Sequence, residues 1–389
     1  MSRYRLTPTP AQEAALREHC AHARFVWNLA VEQQAWYGRA GRGTAPGWAA
    51  QCRQLTGARD ANPWLAGGSV VVQQQALRDF GQAMANFFAG PHRKPAWRKA
   101  GRDEGFRIVA VTPEHVRRLH RDAAAVLVPK VGWVRFRLSR PVPAARSCRV
   151  SLDAAGRWHI AFAAIPEPVP APGTGEVAGI DRGVAVTLAL SDGTTCQAPA
   201  PRSVARLQRT LSRARRGSNR RKRVKAQLAR AHARNADARK DWAEKTSTAI
   251  AARYDLIRIE DLNVRNMTRS ARGTAGNPGR NVRQKAGLNR EILASGWALF
   301  ARRLEDKAPG RVEKVNPAYT SQRCPACGHV DAQSRKSQAL FACTACGYAC
   351  NADVNAARNI AAGHAVTARG GPALAGPVNR EPQLALLAS

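Results

Sequence analysis

Acidic residues are scarce in this sequence. Asp and Glu total 27 among 389 residues, Lys and Arg total 62, and the formal net charge is +35. A surplus of this size repels itself unless a polyanion is bound, so the composition favours a nucleic-acid partner over a membrane surface. The length and an apolar fraction of 44% allow two or three domains with cores of their own.

Long apolar runs are also missing. No run approaches the roughly 18 residues that a membrane-spanning helix needs, and the first six residues, MSRYRL, contain no apolar signal core. We therefore expect a cytoplasmic protein. In that compartment, paired cysteines indicate a metal site rather than a disulfide.

Four of the nine cysteines form two Cys-x-x-Cys pairs. Cys324 and Cys327 make the first pair and Cys343 and Cys346 make the second, with fifteen residues between the two pairs. This spacing is typical of one tetrahedral zinc ion with four thiolate ligands. Such a site has no open position, so the zinc is predicted to be structural, and the nearby Cys350 is not needed as a ligand.

Three acidic residues stand out against the basic background. Asp181 and Glu260 each end a short apolar segment that predicts a buried strand, and Asp353 follows the helix-capping Asn351. Carboxylates suit Mg²⁺, and two ions about 3.5–4 Å apart can hydrolyse a phosphodiester. A single Asp is more often a cap or a surface charge, but three acids with a zinc ribbon between the second and third predict a metal-dependent nuclease.

In one stretch of the chain every charged residue is basic. Between Arg202 and Lys225 there are eleven basic residues and no acidic one, and a Gly-Ser-Asn break predicts a helical hairpin. A solvated helical face is the alternative, but charge of one sign favours contact with a polyanion. The predicted nucleic-acid-binding residues are Arg213, Arg215, Arg216, Arg220, Arg221, Lys222 and Arg223.

Changes of periodicity predict how the chain is organised. Residues 11–100 look helical, whereas alternation of apolar and basic residues over 106–162 predicts a small β-barrel. The Pro-rich stretch 166–173 predicts a linker. We expect residues 266–289, rich in Gly, Arg and Asn, to be mobile, and residues 363–389 to form a flexible tail.

Motifs between about residues 3 and 360 resemble those of the TnpB proteins, also called OrfB-type insertion-sequence transposases with a zinc ribbon. Besides the two cysteine pairs, the motifs are Tyr4-Arg5-Leu6, His22-Ala23-Arg24-Phe25-Val26-Trp27-Asn28, Gly179-Ile180-Asp181, Ile259-Glu260-Asp261-Leu262, Pro317-Ala318-Tyr319-Thr320-Ser321-Gln322 and Asn351-Ala352-Asp353-Val354-Asn355-Ala356-Ala357.

The resemblance implies an α/β fold, namely an RNase H-like (RuvC) nuclease domain with an inserted zinc ribbon. A wedge-type β-barrel that carries an inserted helical recognition module would precede it. The implied limits are 1–10 and 101–165 for the barrel, 11–100 for the helical module, 174–320 and 351–362 for the nuclease, and 321–350 for the ribbon.

The resemblance also implies an activity, RNA-guided cleavage of double-stranded DNA with a guide RNA from the protein's own element. Asp181, Glu260 and Asp353 would be the catalytic triad and Mg²⁺ ligands, and the four paired cysteines would bind zinc. The protein would work in the bacterial cytoplasm, associated with the nucleoid when bound to DNA. Arg182 departs from the small or apolar residues frequent in the family, and could pair with a phosphate or weaken metal binding.

Two other functions remain open from the sequence. One is a non-cleaving DNA- or RNA-binding accessory factor that regulates transposition, and the other is a transposase that catalyses strand transfer itself. A structure-specific junction resolvase would not need about 170 additional N-terminal residues.

Overall fold

The computed structural model describes residues 2–40, 44–90, 92–102, 104–164 and 167–363. Contacts between residues divide the chain into two compact units, the first made of Met1–Pro166 and Val204–Ala233 and the second of Glu167–Ser203 and Arg234–Ser389. The predicted flexible tail, apart from Gly363, lies outside the described residues. None of the helices in the described part has the length and apolarity to cross a membrane.

Helices dominate the N-terminal part of the first unit. They are α1 (Pro10–Ala40), α2 (Trp48–Ala61), α3 (Pro63–Gly67) and α4 (Val70–Phe88). A capping box precedes α1, since the backbone N–H of Gln12 donates to Thr9 Oγ1 at 3.3 Å and the backbone N–H of Thr9 donates to Gln12 Oε1 at 3.1 Å. The prediction of helix up to residue 100 is wrong at its end. Gly90 takes the left-handed φ of +98° just after α4, and residues 92–100 are not helical.

Two antiparallel sheets form the rest of this part of the first unit. The strands are β1 (Ser2–Arg5), β2 (Gly105–Val109), β3 (Val116–His120), β4 (Ala123–Val128), β5 (Gly132–Arg137), β6 (Ser147–Leu152) and β7 (Trp158–Phe162). One sheet has the order β1-β7-β6-β2 and the other β3-β4-β5, and an isolated bridge between Leu6 and Phe136 links them. Buried Val134 and Phe136 alternate with exposed Arg135 and Arg137, as predicted.

A five-stranded mixed sheet organises the second unit. Its strands are β8 (Val177–Asp181), β9 (Leu188–Leu190), β10 (Thr195–Cys196), β11 (Leu256–Glu260) and β12 (Val312–Val315), in the order β10-β9-β8-β11-β12. Strands β8, β9 and β10 form an antiparallel meander, whereas β11 runs parallel to both β8 and β12.

The remaining helices and a short hairpin come after β10 along the chain. They are α5 (Ala205–Arg213), α6 (Asn219–Arg253), α7 (Val264–Met267), α8 (Val282–Ser295), α9 (Trp297–Lys307), the short hairpin β13 (Leu340–Ala342) and β14 (Ala349–Asn351), and α10 (Ala352–Ala361). The break between α5 and α6 falls where the sequence predicts it. Helix α6 continues from the first unit into the second.

The segment expected to be mobile, residues 266–289, has defined contacts. Its ends lie in α7 and α8, and Lys285 Nζ donates a hydrogen bond of 2.6 Å to the carbonyl oxygen of Met267. Asn289 Nδ2 donates to the carbonyl oxygens of Thr268 and Arg269. The side chains of α8 therefore fasten the segment that follows β11.

Candidate metal centres

Asp181 and Glu260 end neighbouring parallel strands. Ile180 of β8 lies opposite Ile259 of β11 in the register, so the two acids that follow them stand side by side. Both isoleucines are fully buried. Because the apolar residues anchor each strand in the core, the acids emerge together at the carboxyl edge of the sheet, where ligand sites of parallel strands form.

Helix α10 brings the third acid. Asn351 caps the helix, its side-chain oxygen accepting from the backbone N–H of Asp353 at 3.0 Å and of Val354 at 3.2 Å. The helix packs on β8 at Gly179, where an added Cβ would lie 2.0 Å from the carbonyl oxygen of Ala357. Only glycine fits this contact, which lies one strand residue from Ile180 and two from Asp181.

The three carboxylates interact electrostatically. Burial raises the pKa of Asp181 well above its usual value, and the charges of Glu260 and Asp353 raise it further, while Arg335 acts in the opposite direction. Burial also raises the pKa of Asp353. A cation among these oxygens would relieve both effects, and carboxylate oxygens are the ligands that Mg²⁺ and Mn²⁺ prefer. Carboxylate chemistry therefore suits a divalent cation. Within the described residues, however, the oxygens of the three acids do not form a cluster as close as that of the four paired cysteines, and the role of each acid as a ligand stays a prediction.

The buried side chain of Arg182 links the end of β8 to the end of β11 by a hydrogen bond. It is 6% exposed, and its Nη2 donates to the backbone carbonyl oxygen of Glu260. Burial lowers the pKa of Arg182, whereas the charges of Glu260 and Asp181 raise it. Among the two alternatives left by the sequence, a contact with a phosphate is disfavoured, because the guanidinium is not presented to solvent.

Two further side chains contact the acids, and the sequence did not identify either contact. Thr320 Oγ1 donates a hydrogen bond of 2.9 Å to Glu260 Oε1. Arg335 Nη2 lies 3.6 Å from Asp353 Oδ1. The pairing of Arg335 with an acid from α10 has no local signal in the sequence.

The four paired cysteines form a separate cluster. Their Sγ atoms all lie within 4.8 Å of one another, and the Cys324–Cys346 and Cys327–Cys343 pairs are each 3.6 Å apart. Zn–S bonds of about 2.3 Å in a tetrahedron place the sulfurs about 3.8 Å apart, so the cluster can hold one zinc ion. Cys350 is not in the cluster, and its Sγ instead lies 3.8 Å from Asn355 Oδ1.

The knuckle geometry favours thiolate over thiol at Cys343 but not at Cys346. The backbone N–H of Tyr348 lowers the pKa of Cys346, but contacts with the other three sulfurs outweigh it and raise that pKa to about 12. Backbone N–H groups of Cys346 and Ala345 point at the Cys343 sulfur and lower its pKa to about 6. A deprotonated sulfur is the form that binds metal. The cluster therefore resembles a zinc knuckle in both spacing and hydrogen bonding.

Six of the seven predicted nucleic-acid-binding residues are exposed, namely Arg213, Arg215, Arg216, Arg220, Lys222 and Arg223. Arg221 is half-buried. Its Nη1 donates to the carbonyl oxygens of Leu211 at 2.6 Å and of Ala214 at 3.0 Å. These two hydrogen bonds cap the C-terminal end of α5. Arg221 thus holds the turn of the hairpin, while the other six cations face solvent.

Family models match three parts of the chain. The OrfB model described as "Probable transposase" matches residues 159–271, the OrfB "Helix-turn-helix domain" matches residues 2–42, and the "Cas12f1-like, TNB domain" matches residues 297–360. The last match spans the cysteine cluster and Asp353.

Two relatives are similar over almost the whole chain. The "Putative RNA-guided DNA endonuclease InsQ" of Escherichia coli K12 is 38% identical over 98% of this chain and 96% of its own length. A "Putative RNA-guided DNA endonuclease" of Streptomyces pristinaespiralis is 31% identical over 95% of this chain and 90% of its own length.

A solved structure is similar in fold. It is described as the cryo-EM structure of a Cas12f1–sgRNA–target DNA complex, and it matches with a TM-score of 0.54 at 14% identity, covering 90% of this chain and 83% of the other. That match shows the fold alone. The full-length relatives and the family models show that the chain belongs to the TnpB family of OrfB-type insertion-sequence proteins.

Proposed function

We propose that this protein is an RNA-guided DNA endonuclease of an insertion element, and that Asp181, Glu260 and Asp353 hold the divalent cations that it uses. The observation that carries the proposal is the electrostatic interaction of acids from three elements, since the charges of Glu260 on β11 and Asp353 on α10 both raise the pKa of Asp181 on β8. InsQ, 38% identical along the whole chain, is named for RNA-guided DNA cleavage.

The fold supports this assignment. A meander followed by two strands parallel to its first strand, in the order β10-β9-β8-β11-β12, is the arrangement expected of an RNase H-like, RuvC-type nuclease domain. In such a domain the acids belong at the carboxyl edge of the central strands, and Asp181 and Glu260 lie at that edge. The ribbon with its cysteine cluster lies between β12 and α10.

The acids and the two arginines of the site have different roles in the proposed reaction. Bound Mg²⁺ or Mn²⁺ would supply an activated water and charge stabilisation at the leaving oxygen of the phosphodiester. Asp181, Glu260 and Asp353 would hold these cations through hard oxygen ligands. Arg182 holds the backbone that carries Glu260, and Arg335 orients Asp353.

The zinc proposed for the four cysteines has a different task. Four thiolates fill its coordination sphere, so it cannot bind substrate and instead contributes folding free energy to a segment with little apolar core. The buried apolar residues of this cluster are few, chiefly Phe341 and Ala352 beside Cys324 and Cys343.

The partners follow from charge. A net charge of +35 exceeds what a short duplex contact needs, because neutralising about six to ten phosphates already gives a steep salt dependence. We propose that a folded guide RNA from the protein's own element stays bound, and that double-stranded DNA is the target, read by base pairing with the guide. The six exposed cations of the α5–α6 hairpin are candidates for phosphate contacts.

The decisive experiment changes the guide. RNA that copurifies with the protein is sequenced, the guide portion is replaced, and plasmid cleavage in Mg²⁺ is measured on targets that match the old or the new guide. We expect cleavage to follow the guide. Cleavage that ignores the exchange, or that proceeds equally well without RNA, would favour a strand transferase or another nuclease over the proposed function.

A second experiment addresses the acids. Asp181→Ala, Glu260→Ala and Asp353→Ala should each abolish cleavage while RNA and DNA binding persist. Asp261→Ala is the matched control, because Asp261 is adjacent to Glu260 but exposed, with its backbone N–H bonded to Val315. A variant of the three that cuts normally would remove that acid from the site, and normal cutting by all three would refute this centre as the place of cleavage. A wild-type protein that binds RNA and DNA but does not cut would favour the non-cleaving accessory role.

A further inference from the structure

We propose that Thr320 is a positioning residue, whose hydroxyl fixes one oxygen of Glu260 so that the carboxylate can bind a divalent cation. The proposal rests on the proposed function, since it requires the cation site formed with Asp181 and Asp353. It adds a residue that contacts neither substrate nor cation.

The contact is buried and specific. Thr320 is 3% exposed and Glu260 is 8% exposed, and the hydroxyl donates to Glu260 Oε1 at 2.9 Å. The same Oγ1 lies 3.1 Å from the carbonyl oxygen of Pro317. A hydroxyl has one hydrogen, and an ionised carboxylate is the stronger acceptor, so the hydrogen belongs with Glu260. A glutamate side chain has three rotatable torsions, and this bond restricts the last of them.

The loop that carries Thr320 is itself held by α10. Asn359 Nδ2 uses both of its hydrogens, donating to the carbonyl oxygen of Thr320 at 2.9 Å and to that of Arg323 at 2.7 Å. Asn355 Nδ2 donates to the same Arg323 oxygen at 2.9 Å. Both asparagines are at most 2% exposed. Buried amides need their partners, so α10 fixes the loop in one position.

Backbone strain marks the same loop. Tyr319 has a φ of +63°, in the left-handed region that an aromatic residue rarely adopts. Such a conformation persists where the surrounding contacts over-determine it, and it often occurs beside functional groups. Here it occurs at the residue directly before Thr320.

This arrangement connects the zinc centre to the cation site. Arg323, whose carbonyl oxygen both asparagines hold, is followed directly by Cys324, the first cysteine of the cluster. Asn355 and Asn359 stand on the helix that carries Asp353. Thr320 is therefore fastened between the cysteine cluster and α10, and its position depends on both.

A conservative pair of substitutions tests the role of the hydroxyl. Thr320→Val keeps the shape and removes the donor, whereas Thr320→Ser keeps the donor. Mn²⁺ binding to the full-length protein with its RNA is followed by electron paramagnetic resonance of free Mn²⁺, and binding to an Asp181→Ala/Glu260→Ala double variant is subtracted as the background due to RNA. Zinc content and the unfolding midpoint are measured for each protein.

We expect Thr320→Val to weaken Mn²⁺ binding about tenfold, the scale of one hydrogen bond to a charged group, and Thr320→Ser to stay within about twofold of wild type. Equal binding by Thr320→Val and wild type would overturn the positioning role, as would equal losses in Val and Ser. If Thr320→Val loses zinc, Thr320→Ala is measured in its place. A loss of Mn²⁺ binding of about tenfold by Thr320→Ala would then support the positioning role, and binding equal to wild type would overturn it. A wild-type protein that binds no Mn²⁺ above the double variant would instead refute the cation site itself.

Discussion

The approach of α10 to β8 at Gly179 gives a sharp test of how the proposed active site is built. A Cβ at this position would lie 2.0 Å from the carbonyl oxygen of Ala357, and 2.3 and 2.8 Å from the backbone N and Cα of Ala361. All three are backbone atoms, so no change of rotamer can relieve the overlap. In Gly179→Ala the helix must retreat by more than about 1 Å before the contacts reach van der Waals distance.

That movement has two consequences. Overpacking of a buried contact typically costs about 1–3 kcal/mol of unfolding free energy. Helix α10 also carries Asp353, and a displacement of about 1 Å at a catalytic group can cost about 10²-fold in rate. We therefore expect Gly179→Ala to lower cleavage by about two orders of magnitude, with a loss of stability too small to explain it by unfolding.

Gly81→Ala is the matched control. Gly81 lies in α4, and a Cβ there would have nothing within 4 Å. Alanine inside a helix should stabilise by about 0.5–1 kcal/mol. Urea unfolding and plasmid cleavage in Mg²⁺ are measured for both variants. If Gly179→Ala cuts DNA at the rate of Gly81→Ala, the close packing of α10 does not set the position of Asp353, and the reasoning fails.

Three further predictions concern metal and pH. Cys324→Ser should lose zinc by elemental analysis and become protease-sensitive around residues 320–350, and full retention of zinc would contradict the assigned ligand set. Burial lowers the pKa of His19, His22 and His159, so the unfolded chain binds more protons below about pH 6.5 and the unfolding free energy should fall as the pH drops through that value. Urea midpoints at pH 7.5 and 5.5 check this, with equal midpoints as the contrary result. Asp181→Asn removes one of three mutually repelling carboxylates, so its melting temperature in EDTA should exceed that of wild type while Mg²⁺ stabilises only the wild type. A lower melting temperature in EDTA would argue against that repulsion.

The elements that carry the three acids were predictable because their signals are local. A short apolar run before Asp181 and another before Glu260 each specify a buried strand, and the Asn351 cap two residues before Asp353 specifies a helix start. Neighbouring residues determine such features without reference to the rest of the chain. The capping box before α1 was predictable for the same reason.

The contacts that arrange the acids could not be predicted, because they join distant residues. The Arg182 guanidinium reaches a carbonyl 78 residues away, and the Thr320 hydroxyl reaches a carboxylate 60 residues away. Nothing in the sequence around Arg182 distinguishes a buried tie from a phosphate ligand. Only the packing of the folded chain determines which of the two applies. The same holds for Arg221, whose guanidinium binds carbonyl oxygens at the end of α5 while its neighbours in the basic run are exposed.

These long-range contacts indicate that the ribbon and the loop before it also hold two of the three acids in position. Glu260 receives its hydrogen bond from Thr320, just before the first cysteine, and Asp353 is paired with Arg335, which lies between the two cysteine pairs. Asp181, by contrast, is fixed by the pairing of β8 with β9 and β11. Loss of zinc should therefore disturb two of the three acids while the five-stranded sheet persists, so Cys324→Ser should lose Mn²⁺ binding while the second unit stays folded. A Cys324→Ser protein that lacks zinc but binds Mn²⁺ like the wild type would refute this link between the ribbon and the acids.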